Sequence, residues 1–162
     1  MWSRRGLILG GIALTGLAAC GFTPVYGPGG AGTKLRGRVR ARDPKTPEDF
    51  AFNTRLSERL GPEAAVAYGL DYTLVLAATP QGQTADSNVT TRFALNGTAS
   101  WTLREIASGR VLAQGQVSAF SSYTATGTTV ATVSAEADAR ARLAVMLADQ
   151  VVTRLLVAPA VP

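Results

Sequence analysis

"VTTRFALNGTASWTLR", Val89 to Arg104, alternates between apolar and polar positions without a break. Val89, Thr91, Phe93, Leu95, Gly97, Ala99, Trp101 and Leu103 fall on one side of an extended chain. Thr90, Arg92, Ala94, Asn96, Thr98, Ser100, Thr102 and Arg104 fall on the other. A helix would mix the two sets around its axis, whereas a strand keeps them apart, one face for a core and one for water. This stretch is therefore read as a long strand buried on one side.

Its neighbours in sequence extend the same pattern. Downstream, Ser108-Gly109 is a turn signal, and Val111, Ala113, Gly115, Val117 and Ala119 predict the inward face of a partner strand. Upstream, Ala67 to Thr79 also has period two, with Leu70, Tyr72, Leu74 and Leu76 on one face and Pro80-Gln81-Gly82 closing the strand. Further back the period lengthens. Thr46-Pro47-Glu48-Asp49 is a helix start, with a hydroxyl cap, Pro in the first turn and an acid three residues on. Phe52, Leu56 and Leu60 follow every four residues, and Gly61-Pro62 ends the helix. A second helix is expected from about Ser134 to Val157, with Ser134 as N-cap. Its apolar stripe is Ala137, Ala141, Ala144, Ala148, Val151 and Leu155, four alanines that would let it lie close to a sheet.

The remaining element is "KLRGRVRAR", Lys34 to Arg42, in which every second residue is basic. An extended chain would put Lys34, Arg36, Arg38, Arg40 and Arg42 on one face, so this stretch is read as the first strand. The expected order is then β-α-β-β-β-α: an α+β fold of two layers, a four-stranded sheet with two helices on one face. Three uses of the cationic face stay open. It could meet the phosphates of anionic lipid, meet an acidic wall on a partner, or guard a sheet edge against pairing.

The N-terminus indicates the compartment. Trp2-Ser3-Arg4-Arg5 is a cationic head, and Gly6 to Ala19 carries no charge, too short a run to span a bilayer but suited to a signal-peptide core. "LAAC", Leu17 to Cys20, has the form of a bacterial lipobox, and Cys20 is the one cysteine of the chain. Small residues at 18 and 19 admit the peptidase, and the thiol takes the lipid; a plain secretory site with an incidental cysteine is the alternative. "SRRGL" also resembles a twin-arginine export motif, but paired arginines are ordinary in a signal-peptide head, and the export route stays open. Cleavage before Cys20 takes 19 of the 162 residues, leaves 143, and lowers the formal net charge from +5 to +3 by removing Arg4 and Arg5. The expected organisation is a signal peptide over 1–19, lipid anchor and flexible tether over 20–33, a single α+β domain over 34–158 and a tail over 159–162.

Catalytic chemistry finds little support. The chain has no histidine, its cysteine is assigned to the lipid, and Asp71, Asp86, Glu105, Asp138 and Asp149 are dispersed without a metal-binding or paired-acid spacing. "GPGGAG", Gly27 to Gly32, lacks the Lys-Ser/Thr of a phosphate loop and reads as tether. The expectation is a non-enzymatic protein with no cofactor beyond the covalent lipid on Cys20. Nucleic acid is not an expected ligand, because no aromatics interleave with the basic residues.

"CGFTPVYG" (Cys20 to Gly27), the β-α-β-β-β-α order and "AEADARARLAVMLADQVVTRLL" (Ala135 to Leu156) together resemble the LPS-assembly lipoprotein family LptE of Gram-negative bacteria. The resemblance implies an outer-membrane lipoprotein, lipid-anchored on the periplasmic side or within a barrel lumen. It implies a role in plugging the lipopolysaccharide-translocating β-barrel LptD, helping it assemble, and binding lipopolysaccharide in transit. Better-known members carry a basic residue in the loop between the second and third strands that serves lipopolysaccharide. Here that loop, "TPQGQTADSN" (Thr79 to Asn88), has no Lys or Arg, and Arg92 is the nearest candidate. The candidate lipopolysaccharide- or partner-binding residues are thus Lys34, Arg36, Arg38, Arg40, Arg42 and Arg92. The alternative function is an accessory lipoprotein of another envelope transporter, for phospholipid or another solute.

Overall fold

A computed structural model of the chain describes residues 25–27, 30–81, 92–125 and 127–158. The signal segment, Cys20, most of the loop after Pro80 and the C-terminal tail lie outside the described residues. The elements are α1 (Ala31–Leu35), β1 (Val39–Ala41), α2 (Pro47–Leu60), β2 (Tyr68–Pro80), β3 (Arg92–Glu105), β4 (Val111–Thr124) and α3 (Thr129–Leu156). The strands form one sheet in the order β1-β2-β3-β4, parallel between β1 and β2 and antiparallel across the other two pairs. Apart from the short α1, this is the β-α-β-β-β-α fold expected.

β3 keeps the alternation that its sequence carries. Leu95, Ala99, Trp101 and Leu103 are buried on the helix side, and Asn96, Ser100 and Arg104 are exposed on the other. Gly97 sits on the buried face because nothing larger fits: a Cβ there would lie 2.9 Å from Leu143 Cδ2. β2 places Tyr68, Leu70 and Tyr72 on the same side. β4 departs from expectation at its start. Leu103 faces Ala113 while Arg104 faces Val111, so Leu112 is an extra residue in a β-bulge. The bulge shifts the phase: Leu112 turns inward and is buried, and Val111, expected inside, is 41% exposed. Gly115 is also exposed, with the Trp101 indole lying across it.

α2 starts as its sequence predicts. Thr46 Oγ1 accepts a hydrogen bond from the Asp49 N–H at 3.1 Å, and Phe52, Leu56 and Leu60 are buried. α3 starts earlier than expected. Thr128, not Ser134, is the N-cap, its hydroxyl accepting from the Ala131 N–H at 3.3 Å. The buried stripe also differs: Ala144, Ala148, Val151 and Leu155 belong to it, but Ala137 is exposed and Ala141 only half-buried. Leu143 and Leu147 take their place, because the face that meets the sheet must fill the space left by Gly97. The two helices are joined by Asp149, whose carboxylate accepts from Arg55 Nε at 3.0 Å, Arg55 Nη2 at 3.1 Å and Arg59 Nη1 at 2.6 Å.

The largest correction concerns Lys34–Arg42, which is not one strand. Lys34 and Leu35 end the helix α1, Arg36 to Arg38 form a turn, and only Val39–Ala41 pairs with β2. Gly37 breaks the run. Its φ of +67° is in the left-handed region that glycine favours, and its carbonyl accepts from the Ala64 and Ala65 N–H groups at 2.9 and 3.0 Å. The stretch read as flexible tether is partly ordered as well, since α1 begins at Ala31 and Gly32 is buried against the Tyr26 ring.

Candidate functional site

The broken ladder gives each basic residue a different setting. Lys34, Arg36, Arg38 and Arg40 are exposed at the end of the domain where β1 and β2 begin. Arg38 lies over the Tyr68 ring, 5.3 Å from its centre, a cation–π contact that holds the side chain without neutralising it. Arg40 pairs with Glu63 at 2.7 Å, with both side chains largely in water, where such a pair contributes little. Among the described residues, Lys34, Arg36 and Arg38 have no carboxylate in ion-pair range.

Arg42 has left this group. Its guanidinium stands 4.1 Å from the centre of the Tyr72 ring. It donates to Asp49 Oδ1 at 2.8 Å, to the Tyr72 carbonyl at 2.7 Å and to the Asp43 carbonyl at 3.0 Å. Asp49, only 3% exposed, is the one buried charged residue among those described. Its other oxygen accepts from the Lys45 N–H at 3.0 Å. Arg42 therefore fastens the end of β1 to the start of α2 and to β2, with a donor from each of its three nitrogens committed to that role. The Tyr72 phenol is pushed up to about 12, first by burial and then by the charge of Asp49. Both Arg42 and Asp49 are visible in the sequence, the one ending a basic run and the other in the first turn of a capped helix. The short connection from β1 to α2 brings them together, and the parallel pairing of β1 with β2 adds Tyr72.

Arg92 stands elsewhere. It opens β3 opposite the far end of β2, whereas Val39 pairs with Tyr68 at the near end. The 13 residues of β2 at about 3.3 Å each put about 40 Å between them. The structure does not gather the six candidates into one site. Arg92 instead lines a groove of about 990 Å³ with Ala94 and Asn96 of β3, Phe120 to Ser122 of β4, and Ala141, Arg142, Val145 and Met146 of α3. Arg142 is paired with Asp138 there, and Phe120, 78% exposed, is among its apolar lining residues. No side-chain pattern in the sequence announces this groove, which depends on how α3 crosses the sheet.

Among the described residues no three His, Cys, Asp or Glu side chains converge on a metal-sized site, and no helix is long and apolar enough to cross a membrane. The arrangement offers ionic contacts, apolar contacts and a free sheet edge.

Residues 34–155 match the family LptE, described as lipopolysaccharide-assembly. No curated protein matches the chain by sequence. Solved structures resemble it in fold. A lipoprotein from Caulobacter crescentus superposes with a TM-score of 0.64 at 17% identity, covering 78% of this chain and 92% of its own. The rare lipoprotein B from Shewanella oneidensis gives 0.55 at 11% identity, with 73% and 91% covered. A lipoprotein B from Nitrosomonas europaea gives 0.52 at 10%, with 74% and 80% covered.

Proposed function

Because this chain belongs to the LptE lipopolysaccharide-assembly family, we propose that it is a lipid-anchored outer-membrane subunit of the machinery that exports lipopolysaccharide. In this reading it plugs the translocating barrel LptD, helps it assemble, and binds lipopolysaccharide through Lys34, Arg36, Arg38 and Arg40. The function is structural and binding, with no catalytic step.

The observation that carries the ligand-binding part is the tie between Val25 and the cationic end of the domain. The Gly32 N–H donates to the Val25 carbonyl at 2.9 Å, which ties Val25 to α1 and so to the cationic end. Val25 is five positions after Cys20, a reach of at most about 18 Å. A lipid on Cys20 would hold this end of the domain near the headgroups. Exposed guanidinium groups suit phosphate, which they bind through paired N–H donors, and the Arg40–Glu63 pair lies largely in water, where it is readily exchanged. Arg42 is not part of the ligand surface in this reading, since it is held by Asp49 and by the Tyr72 and Asp43 carbonyls, and Arg92 is too distant to share a ligand headgroup with the others.

The test of partnership is to solubilise outer membranes gently and recover the full-length protein through a C-terminal tag. The expected companion is a large β-barrel. Recovery of inner-membrane transporter subunits in place of a barrel would favour a different envelope transporter and contradict this reading.

A further inference from the structure

The two edges of the sheet are built differently. β1 pairs over three residues and is accompanied by Arg38, Arg40 and Arg42. Short length and charge are how an edge is closed to further pairing. β4, at the opposite edge, runs for 14 residues, VLAQGQVSAFSSYT, without one charged residue or proline. The direction of its free groups is fixed by α3. Gln150 Nε2 donates to the Ser118 carbonyl at 3.1 Å, so the backbone of Ser118 points away from β3. In an antiparallel ladder such outward positions recur at every second residue. Gln116, Phe120 and Ser122 thus also present their N–H and C=O groups to the open side. Among the described residues no strand pairs beyond β4.

The open side adjoins the groove between β4 and α3, where Phe120, Val145 and Met146 supply apolar surface. Arg92 lines it too, without a carboxylate in ion-pair range among the described residues. An edge strand beside a helix is the geometry in which extended peptides are added to sheets.

We propose that an extended segment of a different chain binds here as a fifth strand along β4, with apolar side chains on Phe120, Val145 and Met146 and a carboxylate against Arg92. The outward N–H and C=O groups of Gln116, Phe120 and Ser122 require an extended backbone, while the Ser118 carbonyl is shared with Gln150, and Arg92 requires an acid. A second copy pairing through its own β4 would bring no carboxylate on the pairing strand, and the Asp138 beside it is already paired with Arg142. This surface is independent of the cationic end and does not rest on lipopolysaccharide binding.

The experiment places the photo-crosslinker p-benzoylphenylalanine at Ser118 or at Ser122 of the full-length protein in its own envelope. Thr73, exposed on β2 away from this edge, serves as the control position. The expected result is adducts from 118 and 122 to one segment of another chain, about four residues apart in that segment as strand register requires, and none from 73. Ser122→Pro removes an N–H from the open side while leaving the bonds to β3. It should cut the adduct at 118 by about tenfold, the worth of one hydrogen bond, with little change in melting temperature. Phe120→Lys, which charges the edge without altering the backbone, should do the same and decides the matter if the proline variant fails to fold. Adducts only to a second copy, adducts scattered without register, no adducts, or a yield unchanged in a folded variant would each overturn the proposal.

Discussion

Arg42 and Asp49 hold three elements together, and their removal should be felt in stability. Asp49→Asn keeps the shape of the side chain but weakens its charge-assisted bonds with Arg42 and the Lys45 N–H. Hydrogen bonds to charged groups are worth about 1.5–3 kcal/mol, so a loss of about 2–3 kcal/mol is expected in urea unfolding. Arg40→Gln, at an exposed pair, should change stability by less than about 1 kcal/mol. Tyr72 adds a pH dependence. Its phenol titrates at about 12 in the fold against an ordinary value of 10, so the folded state keeps a proton that the unfolded state gives up. That stabilisation is complete below pH 10 and is lost as pH rises from 10 through 12. Tyr72→Phe should flatten the fall in melting temperature over this range; an equal fall in both proteins would contradict the assignment. At this scale the sequence was a partial guide. The cap at Thr46 was legible because it depends on neighbours three residues apart. The separation of Arg42 from the other basic residues was not, because it depends on Asp49 and Tyr72, which only the folded chain brings near.

Packing between β3 and α3 depends on small residues at matched places. Gly97 admits Leu143 and Leu147, so Gly97→Val should overpack the interface and cost about 1–3 kcal/mol. Ala144, fully buried on α3, should behave alike as Ala144→Leu. Trp101→Ala should cost about 3–5 kcal/mol by opening a cavity beneath Gly115. Thermal melts of the three variants check these values, and wild-type melting in all of them would contradict the sheet-on-helix core. β3 was legible because its period of two is sustained along the whole strand. The inward face of β4 was misread at its start because a bulge changes the phase without a mark in the pattern. The first strand was overextended for a related reason: alternate basic residues persist through a helix end and a turn, and Gly37 was the one sign of the break. The early start of α3 was missed because Thr128 and Ser134 are both good caps, and the turns between them are largely exposed, so no apolar periodicity marks where the helix begins.

For the molecule as a whole, the described residues place exposed cations where β1 and β2 begin and Arg92 at the far end of β2, with the uncharged strand β4 along the opposite edge of the sheet. The fold class was legible from periodicity, since alternating strands and two capped helices leave few architectures. The division of the basic residues between two distant places was not, because distance across a sheet is a property of pairing and register. The family match covers the domain but does not say which surface meets lipopolysaccharide. Binding of purified lipopolysaccharide to the full-length protein, followed across salt concentration, asks that directly. Arg36, Arg38 and Arg40 are exposed, so their joint replacement by Gln should leave the melting temperature nearly unchanged. The account predicts weaker binding in this variant and a shallower dependence on salt than in the wild type, while Arg92→Gln binds normally. Equal affinity and equal salt dependence in the wild type and the triple variant would contradict it.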